Sequence, residues 1–125
     1  MNFDIPSLIE TLKKDPSWLN KELSTMVLLK SPVKNIVLTL LPAGIEIRSV
    51  QLNDTIVYQV LEGKLKFIIR NESIILGKGQ FLTLNEKTKY QFNSLEESAF
   101  LLTSENTVQG HHGGRFSLNN ITFTF

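Results

Sequence analysis

The sequence predicts an all-β protein with a short N-terminal helix, and the pattern of its strands is the main reason. From Thr25 onward the chain is a series of short segments rich in β-branched and aromatic residues. Turn residues such as Pro42-Ala43-Gly44 and Gly77-Lys78-Gly79 separate these segments at intervals of about ten residues. Within KLKFII, at positions 64–69, alternate residues fall on opposite faces, as they do in a strand. Many short strands at this spacing are typical of a β-sandwich or a closed barrel.

Composition places the chain among ordinary globular domains. It has 125 residues, of which 42% are hydrophobic and 20% charged, so we expect one domain and no disordered region. Thirteen Lys and Arg against twelve Asp and Glu give a net charge of +1. This balance offers no bulk electrostatic reason to expect nucleic acid or an anionic membrane as a partner. The chain contains no cysteine, which excludes disulfides, thiolate nucleophiles and cysteine metal sites.

The first part of the chain, MNFDIPSLIETLKK, has the features of a helix start. Asp4 is an N-cap candidate, Pro6 falls in the first turn, and Leu8, Ile9 and Leu12 form one apolar stripe. We therefore predict a helix of about two to three turns. The segment lacks the basic and apolar regions of a secretory signal, and no window resembles a membrane span. We expect a cytoplasmic protein.

Pro16 ends this first helix, because its ring clashes with the preceding turn. Asp15-Pro16 then begins another helical turn, which we expect to place Trp18 and Leu19 against the body of the protein. Trp18 is interpreted as a core residue beneath the helix, with a ligand platform as the alternative. Residues 1–24 are thus predicted to form a helical lead-in, and residues 25–125 the β-structure of the same domain.

Four segments of the chain resemble the small single-domain cupins. They are LPAG at 41–44, YQVLEGKLKF at 58–67, LGKGQFLTL at 76–84 and SAFLLT at 98–103. The resemblance covers about half of the chain. It implies a double-stranded β-helix, which is a jelly-roll-like barrel made of two antiparallel sheets, with a ligand or metal site in its mouth.

The resemblance also implies where metal ligands would stand. Cupins usually hold a divalent metal with two His and one Glu from the first motif and one His from the second. The corresponding positions in this sequence are occupied by Val50, Leu52, Ile56 and Tyr90. Only the Tyr90 oxygen is a conceivable donor, whereas Fe, Mn, Ni and Zn sites need imidazole and carboxylate groups. We therefore expect no metal and no cofactor.

Tyr58 and Tyr90 have three possible roles. Their hydroxyls are interpreted as hydrogen-bonded at the barrel rim, as ligand contacts, or as proton-transfer groups like those of metal-free epimerases of the cupin superfamily. An unperturbed Tyr has a pKa near about 10 and needs assistance to act as a base. The residues expected to bind a ligand in the barrel mouth are Val50, Leu52, Ile56, Tyr58 and Tyr90.

Outside the barrel motifs, few residues carry chemistry. The histidines, His111 and His112, lie in a Gly-rich stretch and are interpreted as part of a solvated turn, or else as a lid or an incidental metal contact. The Gly77-Lys78-Gly79 stretch is expected to be a plain turn rather than a phosphate-binding loop. Arg48 and Arg115 are candidates for binding an anion or for surface ion pairs.

The leading functional hypothesis is a metal-free, non-catalytic barrel that binds a small, largely apolar molecule or acts as a sensor or accessory protein. One alternative is a metal-independent isomerase or epimerase that uses Tyr58 or Tyr90, so whether the protein is an enzyme stays open. Another is a partner-binding module with a filled barrel. The alternating apolar tail, 119–125, is expected to pair at a sheet edge and to help form a homodimer. The residues predicted to be buried between the sheets are Leu65, Phe67, Phe81, Leu84, Phe92 and Leu101.

Overall fold

The computed structural model describes residues 2–48, 55–85 and 88–105, together with the backbone of 115–118 and 121–124. In these ranges the chain forms two short helices followed by β-strands, which confirms the all-β prediction. The helices are α1 (Ile5–Leu12) and α2 (Pro16–Leu19). The strands are β1 (Ser24–Lys30), β2 (Lys34–Leu41), β3 (Glu46–Ile47), β4 (Thr55–Glu62), β5 (Lys64–Ile69), β6 (Glu72–Gly77), β7 (Phe81–Leu84), β8 (Tyr90–Ser94), β9 (Ser98–Glu105), β10 (Arg115–Leu118) and β11 (Ile121–Thr124).

The first helix begins and ends as the sequence predicts. The Asp4 carboxylate accepts hydrogen bonds from the backbone N–H of Ser7 at 3.4 Å and from its hydroxyl at 2.9 Å. An N-cap of this kind stabilises a helix by about 1 kcal/mol. Ile9 and Leu12 are buried on the face of α1 that contacts the barrel. Burial of this apolar stripe fixes the helix to the outside of the larger sheet.

The second helix forms as predicted, but only one of the two residues expected to contact the body of the protein does so. The Asp15 carboxylate caps it by accepting the Ser17 N–H at 2.9 Å. Trp18 is half-buried and packs against the same apolar cluster as α1. Leu19, however, is 69% exposed, so its predicted contact with the body is wrong. A four-residue helix buries only one narrow face, and Trp18 occupies it.

Two antiparallel sheets form the body of the protein. The five-stranded sheet has the order β1-β2-β9-β4-β7, and the four-stranded sheet has the order β3-β8-β5-β6. Their inner faces enclose the main hydrophobic core, while the outer face of the five-stranded sheet carries a second cluster beneath α1. Consecutive strands β4 and β5 lie in different sheets, as the predicted double-stranded β-helix requires.

A glycine makes the corner between β4 and β5 possible. Gly63 has a φ of +84°, and a Cβ at this position would collide with the backbone oxygen of Glu97 and with Ser98. The Ser98 hydroxyl also accepts the backbone N–H of Lys64 at 3.1 Å. Any side chain at position 63 would therefore separate the corner from β9.

Four of the six predicted core residues are fully buried, namely Leu65, Phe67, Leu84 and Phe92. The prediction for Phe81 is wrong, since its side chain is 65% exposed. Phe81 and Leu84 are three residues apart on one strand and must point to opposite faces. The prediction for Leu101 is also wrong, because its side chain is half-buried on the outer face, in the cluster beneath α1, and not between the sheets.

The C-terminal strand has its partner in the same chain. β11 pairs with β10 in antiparallel register, with Arg115 opposite Thr124 and Leu118 opposite Ile121. In the described backbone these two strands form a sheet of their own rather than extending either larger sheet. The homodimer itself stays a prediction.

Within the described ranges, no helix is long and apolar enough to cross a membrane.

Candidate functional site

Five aromatic rings fill the middle of the barrel. They come from both sheets and are Tyr58, Phe67, Tyr90, Phe92 and Phe100. The Tyr58 ring lies at their centre, with centroid distances of 5.0 Å to Phe67, 5.0 Å to Phe92 and 5.5 Å to Phe100. Most of these contacts are edge-to-face or tilted, which is the geometry that aromatic pairs prefer. The middle of the barrel is therefore solid.

The two tyrosine hydroxyls are each other's partner. The Oη atoms of Tyr58 and Tyr90 lie 2.7 Å apart, and both side chains are buried. This hydrogen bond connects β4 of one sheet with β8 of the other. It satisfies two polar groups that would otherwise be costly to bury.

Burial also determines the ionisation of this pair. Desolvation raises the pKa of Tyr58 well above its ordinary value, and the neighbouring Tyr90 raises it further. Burial raises the pKa of Tyr90 to about 12, although the hydrogen bond with Tyr58 opposes part of that shift. A tyrosine base needs a lowered pKa to act near neutral pH. These shifts are in the opposite direction and disfavour either tyrosine as a base.

One row of inward-facing residues lies at the end of the barrel where β4 begins and β9 ends. In the register of the five-stranded sheet, Asn35 is opposite Ser104, Ser104 is opposite Ile56, and Ile56 is opposite Leu84. We call these four residues the mouth row. The next residues beyond it, Lys34 and Glu105, are exposed. The mouth row is thus the last inward-facing row of the sheet at this end.

The mouth row contains two buried polar atoms that have no hydrogen-bond partner among the described residues. Asn35 is 3% exposed and Ser104 is 1% exposed, yet neither the Asn35 Oδ1 nor the Ser104 Oγ is bonded within the described ranges. The Thr39 Oγ1, further along the same face of β2, likewise has no partner in that part of the chain. Each such group costs about 1–3 kcal/mol when it is left unsatisfied. A bound water or a polar group of a ligand would remove that cost.

Sequence reasoning missed these polar residues. Asn35 and Thr39 are separated from the intervening Val37 by two positions each, so the alternation places all three on one face. The signal was therefore present in β2. It could not be recognised as a site without the pairing of β2 with β9, because that pairing brings Ser104 opposite Asn35.

The predicted ligand-binding residues have the following positions. Ile56, Tyr58 and Tyr90 are buried and face the barrel interior together, Ile56 in the mouth row and the two tyrosines beneath it. Val50 and Leu52 lie outside the described residues. The site assignment therefore stays a prediction for all five.

Of the four positions that the cupin resemblance assigns to metal ligands, two are described, and the residues there do not fit a divalent cation. Ile56 offers no donor atom, and the Tyr90 hydroxyl is engaged with Tyr58. In the part of the chain that the structure describes, no three His, Cys, Asp or Glu side chains are close enough to form a metal site. His111 and His112 lie outside the described residues. Ile56 and Tyr90 therefore provide no free donor atom for metal chemistry.

The remaining sequence candidates are surface features. The Gly77-Lys78-Gly79 stretch is a plain turn, as predicted, and both of its glycine amides already have partners. The Gly79 N–H donates to Val60 O at 2.8 Å, and the Gly77 N–H donates to the Gln80 side chain at 2.7 Å. Arg48 is exposed, and neither of the ion pairs between described residues includes it. The side chain of Arg115 is not described.

Comparison with solved structures identifies the fold. A cupin superfamily protein from Desulfitobacterium hafniense matches with a TM-score of 0.66 at 15% identity, over 68% of this chain and 78% of that one. A conserved protein of unknown function from Streptococcus pyogenes matches with a TM-score of 0.63 at 20% identity, over 70% and 77% of the two chains. The protein therefore has the cupin fold, in an all-β form with a short N-terminal helix.

An enzyme is also among the similar structures. Salicylate 1,2-dioxygenase from Pseudoaminobacter salicylatoxidans matches with a TM-score of 0.71 at 14% identity. The match covers 82% of this chain but only 35% of the dioxygenase. No protein-family model and no curated protein sequence matches the chain. At these identities the likeness extends to the fold alone.

Proposed function

We propose that this chain is a metal-independent cupin that binds a small, largely apolar molecule with one polar group in the mouth of its barrel. The observation that carries the proposal is the mouth row, where two buried and unpartnered polar atoms lie beside apolar Ile56 and Leu84. A ligand hydroxyl would donate to the Asn35 Oδ1 and accept from the Ser104 hydroxyl. The apolar body of the ligand would contact the remaining inward-facing side chains.

The residues predicted from the sequence complete this site. Tyr58 and Tyr90 form its floor, because their rings lie directly beneath the mouth row and their hydroxyls are already paired. Val50, Leu52 and Ile56 would supply apolar walls. Binding is proposed rather than catalysis because neither tyrosine has the lowered pKa that a base requires.

A filled barrel is the second candidate, and the aromatic core supports it. Five aromatic rings pack together in the middle of the barrel, and in this case the protein would act through its outer surface as a partner-binding or accessory module. The two candidates differ in what occupies the mouth row. If the barrel is filled, only water would form hydrogen bonds with the Asn35 Oδ1 and the Ser104 Oγ.

Thermal-shift and calorimetric titrations with phenol, cyclohexanol and benzene test the proposal. Phenol and cyclohexanol combine an apolar ring with a hydroxyl, whereas benzene has only the ring. We expect both hydroxylated probes to raise the melting temperature more than benzene does. If none of the three probes binds, the mouth does not accept a small apolar ligand and the filled barrel is the better description.

The variant Ser104→Ala and its control Ser24→Ala locate the binding. Ser24 has an equally buried and unpartnered hydroxyl, but it is opposite Leu40 and therefore lies on the outer face of the same sheet. Ser104→Ala should weaken the binding of phenol and cyclohexanol and leave benzene unaffected. Ser24→Ala should change none of the three affinities. Equal effects of the two variants would contradict the proposed position of the ligand.

A further inference from the structure

A cleft of about 360 Å³ opens at a different place, between β6 and β7. These two strands are the neighbouring edges of the two sheets and are not paired with each other. The floor of the cleft consists of Ile69, Ile74, Leu82 and Leu84. We call it the seam cleft. Its volume falls within the range of small-molecule sites, which begins at about 300 Å³.

The seam cleft is where the main core remains incompletely covered. The partly buried hydrophobic residues that pack against the core include Ile69, Ile74 and Leu82, and all three line this cleft. An apolar group placed here would therefore continue the core rather than contact an isolated surface patch. That is a reason to expect an apolar side chain or tail in the ligand.

Two opposite charges lie on the rim of the seam cleft. Arg70 belongs to the β5–β6 turn, where it and Asn71 have φ angles of +51° and +68°. Glu72 is opposite Ile69 in register, so its side chain is on the inward-facing side of β6. The ion pairs between described residues both involve Lys13, and neither includes Arg70 or Glu72. The rim thus presents a guanidinium and a carboxylate that do not neutralise each other at contact distance.

We propose that the seam cleft binds a free α-amino acid with an apolar side chain, such as leucine. Arg70 would bind the carboxylate of the amino acid, for which the planar guanidinium provides two parallel hydrogen bonds. Glu72 would bind the ammonium group, and the side chain would contact the apolar floor. A simple carboxylate or a simple amine matches only one of the two charges and meets repulsion from the other. This site is separate from the ligand site proposed in the barrel mouth, although Leu84 contributes to both.

Four probes separate the contributions of the ligand groups. Leucine carries all three groups, N-acetylleucine lacks the ammonium charge, leucinamide lacks the carboxylate, and glycine lacks the side chain. Binding is measured from NMR chemical shifts of the Ile74 and Leu82 methyl groups. Because the charges are exposed, we expect leucine to bind with a dissociation constant of about 1 mM and the other probes about fivefold more weakly. Equal binding of all four probes, or no binding of leucine, would overturn the proposal.

Variants of the two charged residues provide the decisive comparison. Arg70→Gln should abolish the preference for leucine over leucinamide, and Glu72→Gln should abolish the preference for leucine over N-acetylleucine. Arg70→Lys keeps the charge and should retain part of the preference, which also controls for a change in the turn. Lys78→Gln removes an exposed cation at the opposite end of β6 and should have no effect. A preference for leucine that survives Arg70→Gln would contradict the assignment.

The two proposed sites can fail independently. Ser104→Ala should leave leucine binding unchanged, and Arg70→Gln should leave phenol binding unchanged. A variant that abolishes the binding of both leucine and phenol would indicate a general loss of structure, which a melting curve of the same sample detects. A normal melting curve together with loss of both leucine and phenol binding would contradict the separation of the two sites.

Discussion

Replacement of Phe67 by alanine tests the described core at a fully buried ring. Phe67 has no exposed surface, and its ring centroid lies 4.7 Å from Phe92 and 5.0 Å from Tyr58. Truncation removes the transfer free energy of the ring and leaves a cavity between the sheets. The surrounding rings cannot collapse freely into this cavity, because Tyr58 is held by its hydrogen bond to Tyr90. We therefore expect the free energy of unfolding to fall by about 3–5 kcal/mol.

Urea denaturation followed by tryptophan fluorescence measures this loss, with Phe81→Ala as the matched control. Phe81 is also a strand phenylalanine, but it is 65% exposed, so its truncation should cost less than about 1 kcal/mol. If Phe67→Ala prevents folding, Phe67→Leu is the milder variant and should cost about 1–3 kcal/mol. A loss below about 1 kcal/mol for Phe67→Ala, or a loss as large for Phe81→Ala, would refute the assignment of the core.

Further predictions concern the tyrosine pair, the metal positions and the tail. Tyr90→Phe should lower the free energy of unfolding by about 1–3 kcal/mol, and the Tyr58→Phe/Tyr90→Phe double variant should cost less than the sum of the single variants in a double-mutant cycle. Because both folded-state pKa values are raised, the contribution of the tyrosine pair to the free energy of unfolding should be fully present below a pH of about 10 and should fall as the pH rises toward 12 and above. Ultraviolet absorbance should detect tyrosinate only in that upper pH range. Untagged protein should contain well under one equivalent of transition metal by elemental analysis, and EDTA should not change its melting temperature. Deletion of 119–125 should weaken the predicted homodimer, and an unchanged, equally stable dimer by light scattering would contradict that prediction.

The parts of the fold that the sequence could predict depend on local signals. The bounds of α1 depend on residues next to its ends. Asp4 caps its start, and the helix ends before Pro16, as predicted. The turn at 77–79 is equally local. The prediction for Phe81 is wrong because Phe81 and Leu84 lie on opposite faces of β7, so only one of them can be buried between the sheets.

The candidate sites depend on pairings between strands that are distant in sequence. Asn35 and Ser104 become neighbours only through the register of β2 and β9, and no pattern within either strand specifies that register. The seam cleft forms between the edges of two different sheets, so its floor and rim come from separate segments. Sequence alone could therefore predict inward-facing residues such as Phe67 and Phe92, but not which buried polar groups lack partners among the described residues.

The packing around Ile56 and Tyr90 is incompatible with metal-ligating side chains at these two positions. A glutamate in place of Ile56 would have to be buried in the mouth row, where an unpaired carboxylate is costly. A histidine in place of Tyr90 would remove the partner of the Tyr58 hydroxyl and leave that group unsatisfied between the sheets. Either single change toward a cupin metal site would thus destabilise the barrel before any metal could bind. A cation site at positions 56 and 90 would therefore require the tyrosine pair and the mouth row to change together.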